Sequence, residues 1–331
     1  MRWTKLKEKV LMLLKNSSDF LSGEKISNKL GITRASVWKH INVLKKEGYI
    51  IEGISNKGYR LISSYDILNP LEIKEKLQTK YIGKDIKYFE TIDSTNIMAK
   101  KLANNDAIDG TLIISEVQSF GRGRLNRQWI SPKGGIWASL ILKPNLEPIQ
   151  APKITLIAAA ALILTFKKYN LDVKVKWPND ILLKNKKISG ILTEMNCDMD
   201  RINYIILGFG INVNLKEDTI PKDLRNKATS LLLSTGKTFS RIDLLCKFLK
   251  EFEKLYHELL NENHADTSIS ICKENSILIG KDIIISSLNL NEKVKCIDLT
   301  KDGSLLVQNS SGKIKKVFSG EISLFENYAN T

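Results

Sequence analysis

Cysteine is scarce in this sequence and is never closely paired. The chain has 4 cysteines among 331 residues, and no two of them form the CxxC pair that is typical of zinc and redox sites. They are Cys197, Cys246, Cys272 and Cys296. Their wide spacing argues against a zinc site and against a disulfide framework, so we expect the protein to work in a reducing, cytoplasmic compartment.

Long hydrophobic runs are also missing. No uninterrupted apolar run reaches the ~18 residues that a membrane span needs. The longest, which starts at Leu156, is short and rich in alanine, as in a buried core helix. The N-terminal segment starts with basic residues, but Lys15 breaks its apolar stretch and no small-residue cleavage site follows. It therefore predicts an amphipathic helix and not a signal peptide, and we expect no membrane partner.

Acidic residues are too few to balance the basic ones. The chain has 51 Lys and Arg against 36 Asp and Glu, which gives a formal net charge of +15. Residues 1–64 contain thirteen Lys and Arg and five Asp and Glu, so they alone carry a net charge of +8. A compact basic segment indicates a polyanionic partner such as nucleic acid. A coding bias toward Lys, Ile and Asn would also raise the charge.

The basic segment has the pattern of a helix-turn-helix unit. Residues 4–15 have apolar side chains on one helical face, and Ser22 can cap a second helix over 23–30. "GIT" (residues 31–33) then predicts a tight turn before a third helix from Arg34 to about Glu47. A polar, basic second helix after a short glycine-containing turn is typical of DNA-reading units.

A predicted β-hairpin follows and strengthens this interpretation. "YIIEGISNKGYRLI" (residues 49–62) reads as two strands around a Ser-Asn-Lys-Gly turn, the wing of a winged helix. An adaptor that binds only protein is the alternative. The predicted DNA-contacting residues are Arg34, Ser36, Lys39, His40 and Asn42 in the third helix and Lys57 and Arg60 in the wing.

Beyond a linker over residues 63–70, strands and helices mix without a βαβ alternation. This order predicts an α+β domain on a mostly antiparallel or mixed sheet, and not a doubly wound one. The predicted strands are 86–89, 112–116, 136–142, 173–177, 188–195 and 204–209, and the predicted helices are 96–104, 154–169 and 241–261.

Two glycine-containing stretches resemble nucleotide motifs without matching them. "STGKT" (residues 234–238) ends like a P-loop, but Leu231 stands where that motif needs glycine. "GFGINV" (residues 208–213) begins like a dinucleotide fingerprint, but Val213 stands in place of the third glycine. Any nucleotide therefore binds in another fold.

Four short stretches carry a specific resemblance. They are "DSTN" (residues 93–96), "QSFGRGRLNRQW" (118–129), "KWPNDILLKNKKISGIL" (176–192) and "GFGINVN" (208–214). Their order and spacing resemble the biotin–protein ligases. With the winged helix ahead of them, the whole chain resembles the bifunctional bacterial biotin–protein ligase and biotin-operon repressor family. One departure is Asn126, where relatives often have glycine. Asparagine tolerates left-handed backbone, so we expect an intact loop.

The resemblance implies a fold and an activity. The fold would be a multidomain α+β protein: a winged helix-turn-helix (1–64), a catalytic domain similar to class II aminoacyl-tRNA synthetases (65–274) and a C-terminal SH3-like β-barrel (275–331). The activity would be ATP-dependent formation of biotinyl-5′-adenylate, with Mg²⁺, followed by biotin transfer to a lysine of a biotin carboxyl-carrier protein. The adenylate would act as corepressor on operator DNA, bound by a homodimer.

The resemblance also assigns candidate site residues. The biotin site would contain Ser94, Thr95, Asn96, Gln118, Arg122, Gly123, Arg124 and Lys187. The catalytic residues would be Lys187, Arg122 and Arg124, because a carboxylate must attack an already anionic phosphate and fixed cations offset that repulsion. The nucleotide site would contain Arg127, Trp129, Asn179, Asp180 and Asn212. Trp129 and Trp177 fit a pocket wall or plain core equally, and no metal ligands are assigned.

Two alternatives remain open at this point. One is a biotin-sensing transcription factor with little ligase activity, which the retained arginines and Lys187 disfavour. The other is a ligase with a DNA module that does not repress, which the clustered charge of residues 1–64 disfavours.

Overall fold

A computed structural model describes residues 2–17, 19–46, 49–64, 66–287, 290–318 and 320–325. The chain forms two compact units, Met1–Ile67 and Leu68–Thr331, here called the N-terminal and C-terminal units. Glu47, where the third helix is predicted to end, and residues 326–331 of the predicted barrel lie outside the described residues.

The N-terminal unit is a winged helix-turn-helix, as predicted. Its helices are α1 (Arg2–Lys15), α2 (Gly23–Leu30) and α3 (Arg34–Lys46). The Ser22 side chain accepts a hydrogen bond from Lys25 N and caps α2, and Gly31 ends that helix at φ 63°. Strands β1 (Tyr49–Ile54) and β2 (Gly58–Ser64) form the antiparallel wing.

His40 is a correction to the predicted DNA-contacting set. Its side chain is 0% exposed and therefore cannot reach a DNA groove. His40 lies three residues after Val37 and four before Leu44, both of which are buried in the core of this unit. Three- and four-residue steps place side chains on one helical face. Burial, together with Lys7, lowers the pKa of His40, which favours the neutral imidazole.

The C-terminal unit is built on a seven-stranded sheet with strand order β3-β4-β5-β9-β8-β7-β6. Strands β3 and β4 are parallel and all other neighbours are antiparallel, which confirms the predicted mixed sheet. The strands are β3 (Ile86–Ile92), β4 (Leu112–Gln118), β5 (Ile136–Leu142), β6 (Val173–Lys176), β7 (Asp180–Leu183), β8 (Lys186–Cys197) and β9 (Ile202–Ile211).

Helices cover both faces of this sheet. Helix α5 (Thr95–Ala103) packs on β4, β5 and β9 through Ala99 and Ala103. Helices α6 (Ala151–Lys167), α8 (Arg241–Glu262) and α9 (Asp266–Glu274) pack together in the main core, and α6 contacts the sheet there. Two short helices, α4 (Pro70–Lys76) and α7 (Leu231–Thr235), complete the set. Asn69 and Pro70 begin α4 as cap and first residue, as predicted.

One segment of the core is apolar enough to cross a membrane by composition. It is Pro148–Lys167, and 67% of its apolar window is buried inside the fold. Leu156, Ala160 and Phe166 are each at most 2% exposed, in contact with the rest of the main core. The segment is therefore the predicted core helix.

The C-terminal strands form a five-stranded antiparallel sheet with strand order β13-β12-β11-β10-β14, consistent with the predicted SH3-like fold. They are β10 (Asp282–Ser287), β11 (Leu290–Leu299), β12 (Leu305–Gln308), β13 (Ile314–Val317) and β14 (Glu321–Leu324). This sheet belongs to the same compact unit as the seven-stranded sheet. Trp177 Nε1 donates a 2.9 Å hydrogen bond to Gly303 O and joins the two.

Candidate functional site

A cavity of about 310 Å³ opens in the C-terminal unit, beside α5. Every residue predicted to bind biotin or nucleotide lines this cavity, although the sequence spreads them from position 94 to position 212. Trp177 and residues 320–322, at the start of β14, also line it. The four motifs therefore meet at one place, which we call the pocket.

Three glycines form the floor of the pocket. A Cβ atom on Gly208 would lie 2.1 Å from Asn96 Oδ1, and one on Gly210 would lie 2.5 Å from Trp129 Nε1. A Cβ atom on Gly190, which pairs with Gly210 across β8 and β9, would lie 2.8 Å from the Trp129 ring. "GFG" is thus needed because side chains of the pocket pack directly on the backbone of β9. Trp129 is a wall of the pocket.

One end of the pocket is lined by neutral polar side chains that hold each other in place. Thr95 donates from N and from Oγ1 to Gln118 Oε1, at 2.8 and 3.1 Å. Gln118 Nε2 in turn donates to Ser131 Oγ at 2.8 Å. Ser139 Oγ lies 2.6 Å from Asn96 Oδ1 and 2.8 Å from Thr95 Oγ1. Such a network fixes rotamers and presents short polar groups to a small, uncharged ligand.

Glu194, which was not among the predicted site residues, holds this neutral end in place. Its carboxylate accepts from Asn96 Nδ2 at 2.7 Å and from Lys100 Nζ at 2.6 Å, and lies 4.0 Å from Arg122 Nη1. Burial acts to raise the pKa of Glu194, but the hydrogen bonds from Lys100 and Asn96 outweigh it, so the pKa is lowered. The carboxylate therefore stays ionised and sets the orientation of the Asn96 amide.

The arginine-rich stretch forms a folded hairpin loop over the pocket. Gly123 N donates to Arg127 O at 2.7 Å and Trp129 N to Gly121 O at 2.8 Å. Asn126 has φ 57°, the left-handed backbone expected of it. Leu125 has φ 55° as well, which was not predicted and which is rare for a residue with a branched side chain.

The arginines of this loop have partners in the unit. Arg124 donates to Asn179 Oδ1 at 3.2 Å and to Gly320 O at 3.3 Å. Arg127 Nη2 donates to both carboxylate oxygens of Glu321, at 2.6 and 2.7 Å. The start of β14 therefore holds the loop against the pocket.

Lys187 is held at the centre of the cationic end. Its Nζ lies 2.6 Å from Asp180 Oδ1 and 4.9 Å from the centroid of the Trp129 ring. Its backbone bonds to the segment beside α7, since Lys187 N donates to Lys227 O and Thr229 N donates to Lys187 O. The β7–β8 register also shifts at Ile181 and Leu182, next to Lys187. Bulges commonly aim a side chain into an active site.

Lys176 is a pocket residue that sequence reasoning missed. It lines the cavity close to Lys187, Asp180 and Arg127. Burial is the main cause that lowers its pKa; Asp180 opposes the shift and Lys187 adds to it. Its signal was present, because Lys176 opens the "KWPND" stretch. Glu194 and Glu321 were missed as well, since their partners are distant in sequence.

Asn179 and Asn212 line the pocket but have local partners. Asn179 Nδ2 donates to Ile191 O and Asn212 Nδ2 donates to Thr229 O, both at 2.9 Å. Asn212 is 6% exposed. Among the described residues, by contrast, none hydrogen-bonds the hydroxyl of Ser94, which caps α5 without a side-chain bond.

The N-terminal unit carries the other predicted site. Arg34, Lys39 and Lys57 are exposed, and Ser36 and Asn42 are half-buried at the surface of α3. Arg60 is already engaged: its Nη2 lies 2.9 Å from Glu52 Oε2, and its guanidinium stacks on Phe20 at 4.6 Å.

Comparison with known proteins relates both units to described families. Residues 88–212 match the biotin/lipoate A/B protein ligase family, and residues 6–60 match a helix-turn-helix domain. The bifunctional ligase/repressor BirA of Bacillus spizizenii is 40% identical over 327 residues, which covers 98% of this chain and 100% of that protein. The chain belongs to the bifunctional biotin–protein ligase/repressor family.

More distant members agree with this assignment. The BirA protein of Escherichia coli is 29% identical over 321 residues, or 96% of each chain. The biotin protein ligase from Aquifex aeolicus, solved in complex with biotin and ATP, superposes with a TM-score of 0.63 at 29% identity. That match covers 73% of this chain and 98% of the Aquifex protein.

Proposed function

We propose that this chain activates biotin in the pocket and represses transcription through α3. The biotin carboxylate attacks the α-phosphorus of ATP, pyrophosphate leaves, and biotinyl-5′-adenylate forms. The amine of a lysine on a biotin carboxyl-carrier protein then attacks the acyl carbon, and AMP leaves. The observation that carries this proposal is one cavity with a neutral polar end and a cationic end, as a ligand with an uncharged head and an acyl-phosphate junction requires.

The neutral end fits the ureido head of biotin. Thr95, Asn96 and Gln118 offer hydroxyl and amide groups whose rotamers the hydrogen-bond network fixes before any ligand arrives, and the Ser94 hydroxyl beside them is left open to a ligand. Preorganised groups need no reordering on binding, which lowers the entropic cost of capturing a small molecule.

The cationic end fits the reacting carboxylate and phosphate. Lys187 exchanges its contact with Asp180 for the two anions and offsets their repulsion. Arg122 and Arg124 line the same junction, and Arg127, Trp129, Asn179 and Asn212 line the nucleotide side. The hairpin loop covers the product and keeps water from the reactive anhydride.

Mg²⁺ fits this pocket through few protein ligands. The described residues hold no group of three or more His, Cys, Asp or Glu that could bind a metal. Asp180 is a carboxylate at the reacting junction, and Mg²⁺ commonly uses one or two carboxylates with substrate phosphates and water. When bound, the ion would neutralise charge on the departing pyrophosphate.

A mass measurement on the carrier tests the ligase. The purified protein is incubated with biotin, Mg–ATP and a biotin carrier domain, and the carrier is weighed by mass spectrometry. We expect the mass of one biotinyl group to appear, and to require ATP. A carrier whose mass stays unchanged after long incubation would contradict the ligase proposal.

The repressor function would require both units, because the N-terminal unit reads DNA and the C-terminal unit forms the dimer. A single winged helix reads one half-site, so we propose a homodimer on an inverted repeat, with biotinyl-adenylate as corepressor and cytoplasmic operator DNA as target. The contact would use an edge of the seven-stranded sheet, and ordering the hairpin loop over the adenylate would lower the entropic cost of association. We further propose that residues 1–64, 65–274 and 275–331 act as the DNA-binding, catalytic and C-terminal domains.

Sedimentation tests this coupling. We expect tighter self-association with biotin and ATP than without them, and a parallel rise in operator affinity. If both stay unchanged when biotin and ATP are added, the protein is an enzyme with a DNA anchor and not a regulated repressor.

A further inference from the structure

The exposed face of α3 differs from the one that its polar residues alone define. Val37, His40, Ile41 and Leu44 are buried in the core of the N-terminal unit. Successive helical residues are about 100° apart, so the opposite face is centred between Lys39 and Asn42. Trp38 lies on the Arg34 side of that face, about 70° from its centre, and its side chain is nevertheless exposed.

Trp38 is a large aromatic side chain left open to solvent. It is 57% exposed, and among the described residues no aromatic ring or cation stacks on its indole. Exposing so much apolar surface forgoes the stabilisation that its burial would give. Trp38 is therefore not part of the core of the unit that contains it, and a surface Trp of this kind is enriched at recognition sites.

Four cations lie on the exposed part of the same helix. Arg34, Lys39, Lys45 and Lys46 are exposed, and none of them forms an ion pair with another described residue. A surface that combines an aromatic ring with unpaired cations is suited to bind a polyanion that also presents apolar groups. Double-stranded DNA does so, because phosphates flank a major groove in which thymine shows a C5-methyl group.

We propose that Trp38 reads sequence in the major groove by packing against a thymine methyl group. This inference rests on the proposed repressor function and deepens it by naming a specificity-determining residue. The four cations contact phosphates, which fixes register without reading bases. Arg34 and Asn42, on either side of Trp38, then face the neighbouring base pairs. The buried His40 takes no part.

The test uses the full-length protein and a duplex that it selects for itself. Wild-type protein with biotin and Mg–ATP selects a preferred duplex from a random library. Affinity is then measured for wild type, Trp38→Ala, Trp38→Phe and the control Met12→Ala, whose side chain is 48% exposed on α1. Each protein is also tested on duplexes in which single thymines are replaced by deoxyuridine, which lacks only the methyl group.

We expect Trp38→Ala to lose about tenfold in affinity per half-site for the selected duplex, and to keep its affinity for unrelated duplexes within about twofold. Trp38→Phe should recover part of the loss, and Met12→Ala should bind normally. At one position, replacing thymine by deoxyuridine should weaken the binding of the wild type. The same replacement should not change the affinity of Trp38→Ala. Carrier biotinylation should be unchanged in all variants.

Other outcomes overturn the inference in distinguishable ways. If Trp38→Ala keeps the affinity and sequence preference of the wild type, Trp38 does not read DNA. If Trp38→Ala instead changes self-association or carrier biotinylation, the exposed ring serves a protein partner. If the wild type selects no sequence at all, the proposed repressor function fails, and this inference fails with it.

Discussion

The two cationic sites of this protein treat their charges in opposite ways. In the pocket, Lys187 pairs with Asp180, Arg127 with Glu321, and Arg124 with Asn179 and Gly320. On α3, the four exposed cations pair with no acidic side chain among the described residues. The same residue types are thus held rigidly at one site and left solvated at the other.

The difference follows from what each site binds. A small ligand in a half-enclosed pocket is best met by charges that the fold already holds close to their working positions, since a large reorganisation would raise the reaction barrier. DNA is a long polyanion, and free lysines and arginines bind it by displacing condensed counterions. Partnered cations therefore suit chemistry, and solvated cations suit association.

Salt should separate the two sites most strongly. Raising salt from about 50 to about 200 mM should weaken operator binding by about a thousandfold, because the proposed dimer would present two α3 helices and engage about six or more phosphates. Adenylate formation should change only slightly, since paired and half-buried charges are poorly screened. Fluorescence anisotropy on operator DNA and pyrophosphate exchange into ATP measure the two responses.

A matched pair of variants identifies the cations responsible. Lys39→Gln should reduce the slope of log affinity against log salt by about one per protomer. Lys9→Gln, which removes an exposed lysine from α1, should leave the slope unchanged. Equal slopes for both variants would mean that α3 is not the DNA-binding surface.

Removing one partnered cation should have the next largest effect. Lys187→Gln should slow adenylate formation about a hundredfold, which corresponds to roughly 3 kcal/mol of lost transition-state stabilisation. Operator binding without ligands should be unaffected. Biotin-dependent exchange of pyrophosphate into ATP measures the loss.

Lys184 provides the control for this change. It lies in the same turn, exposed, with its Nζ bonded to Ser234 O at 2.8 Å. Lys184→Gln should exchange pyrophosphate at the wild-type rate. If Lys187→Gln did so too, its assignment to the carboxylate–phosphate junction would be wrong.

How much the sequence predicts differs between these sites for physical reasons. The pocket was predictable because its residues sit in short motifs at strand ends and in one loop, and every one of them lines the cavity. The supporting carboxylates Glu194 and Glu321 were not, because their roles arise only from distant chain contacts. Strand β7 was not predicted either, because it has only four residues and lies within a motif whose residues were interpreted as site residues.

On α3, the assignment of His40 to the DNA-contacting residues was wrong because it disregarded the helical period. The prediction that His40 contacts DNA rests on its polar type, whereas its spacing from Val37 and Leu44 places it on the buried face. Trp38 is apolar by type and lies toward the edge of the exposed face, yet its side chain is open to solvent. Periodicity decides side-chain direction on a helix, and residue type decides it only when the two agree.

Glu194 gives the smallest and most specific test, because it links a partnered cation to the neutral end of the pocket. Glu194→Gln keeps an acceptor for Asn96 Nδ2 but loses the ion pair with Lys100. The loss of a charge-assisted bond at a partly exposed site should raise the KM for biotin about threefold, with kcat nearly unchanged. Glu251→Gln, which removes the partner of Lys168 elsewhere in the C-terminal unit, should leave that KM unaltered.

The pH dependence of stability distinguishes the ion pair from a merely structural contact. The pKa of Glu194 is lowered in the folded protein, so the unfolded state binds the proton more readily. The stabilisation is therefore fully present above the unfolded value of about 4.3 and is lost as pH falls through the lower folded value. Glu194→Gln should thus melt below the wild type at pH 7, and the gap should close in acid. A gap that stayed constant down to strongly acidic pH would show that the charge of Glu194 does not stabilise the pocket.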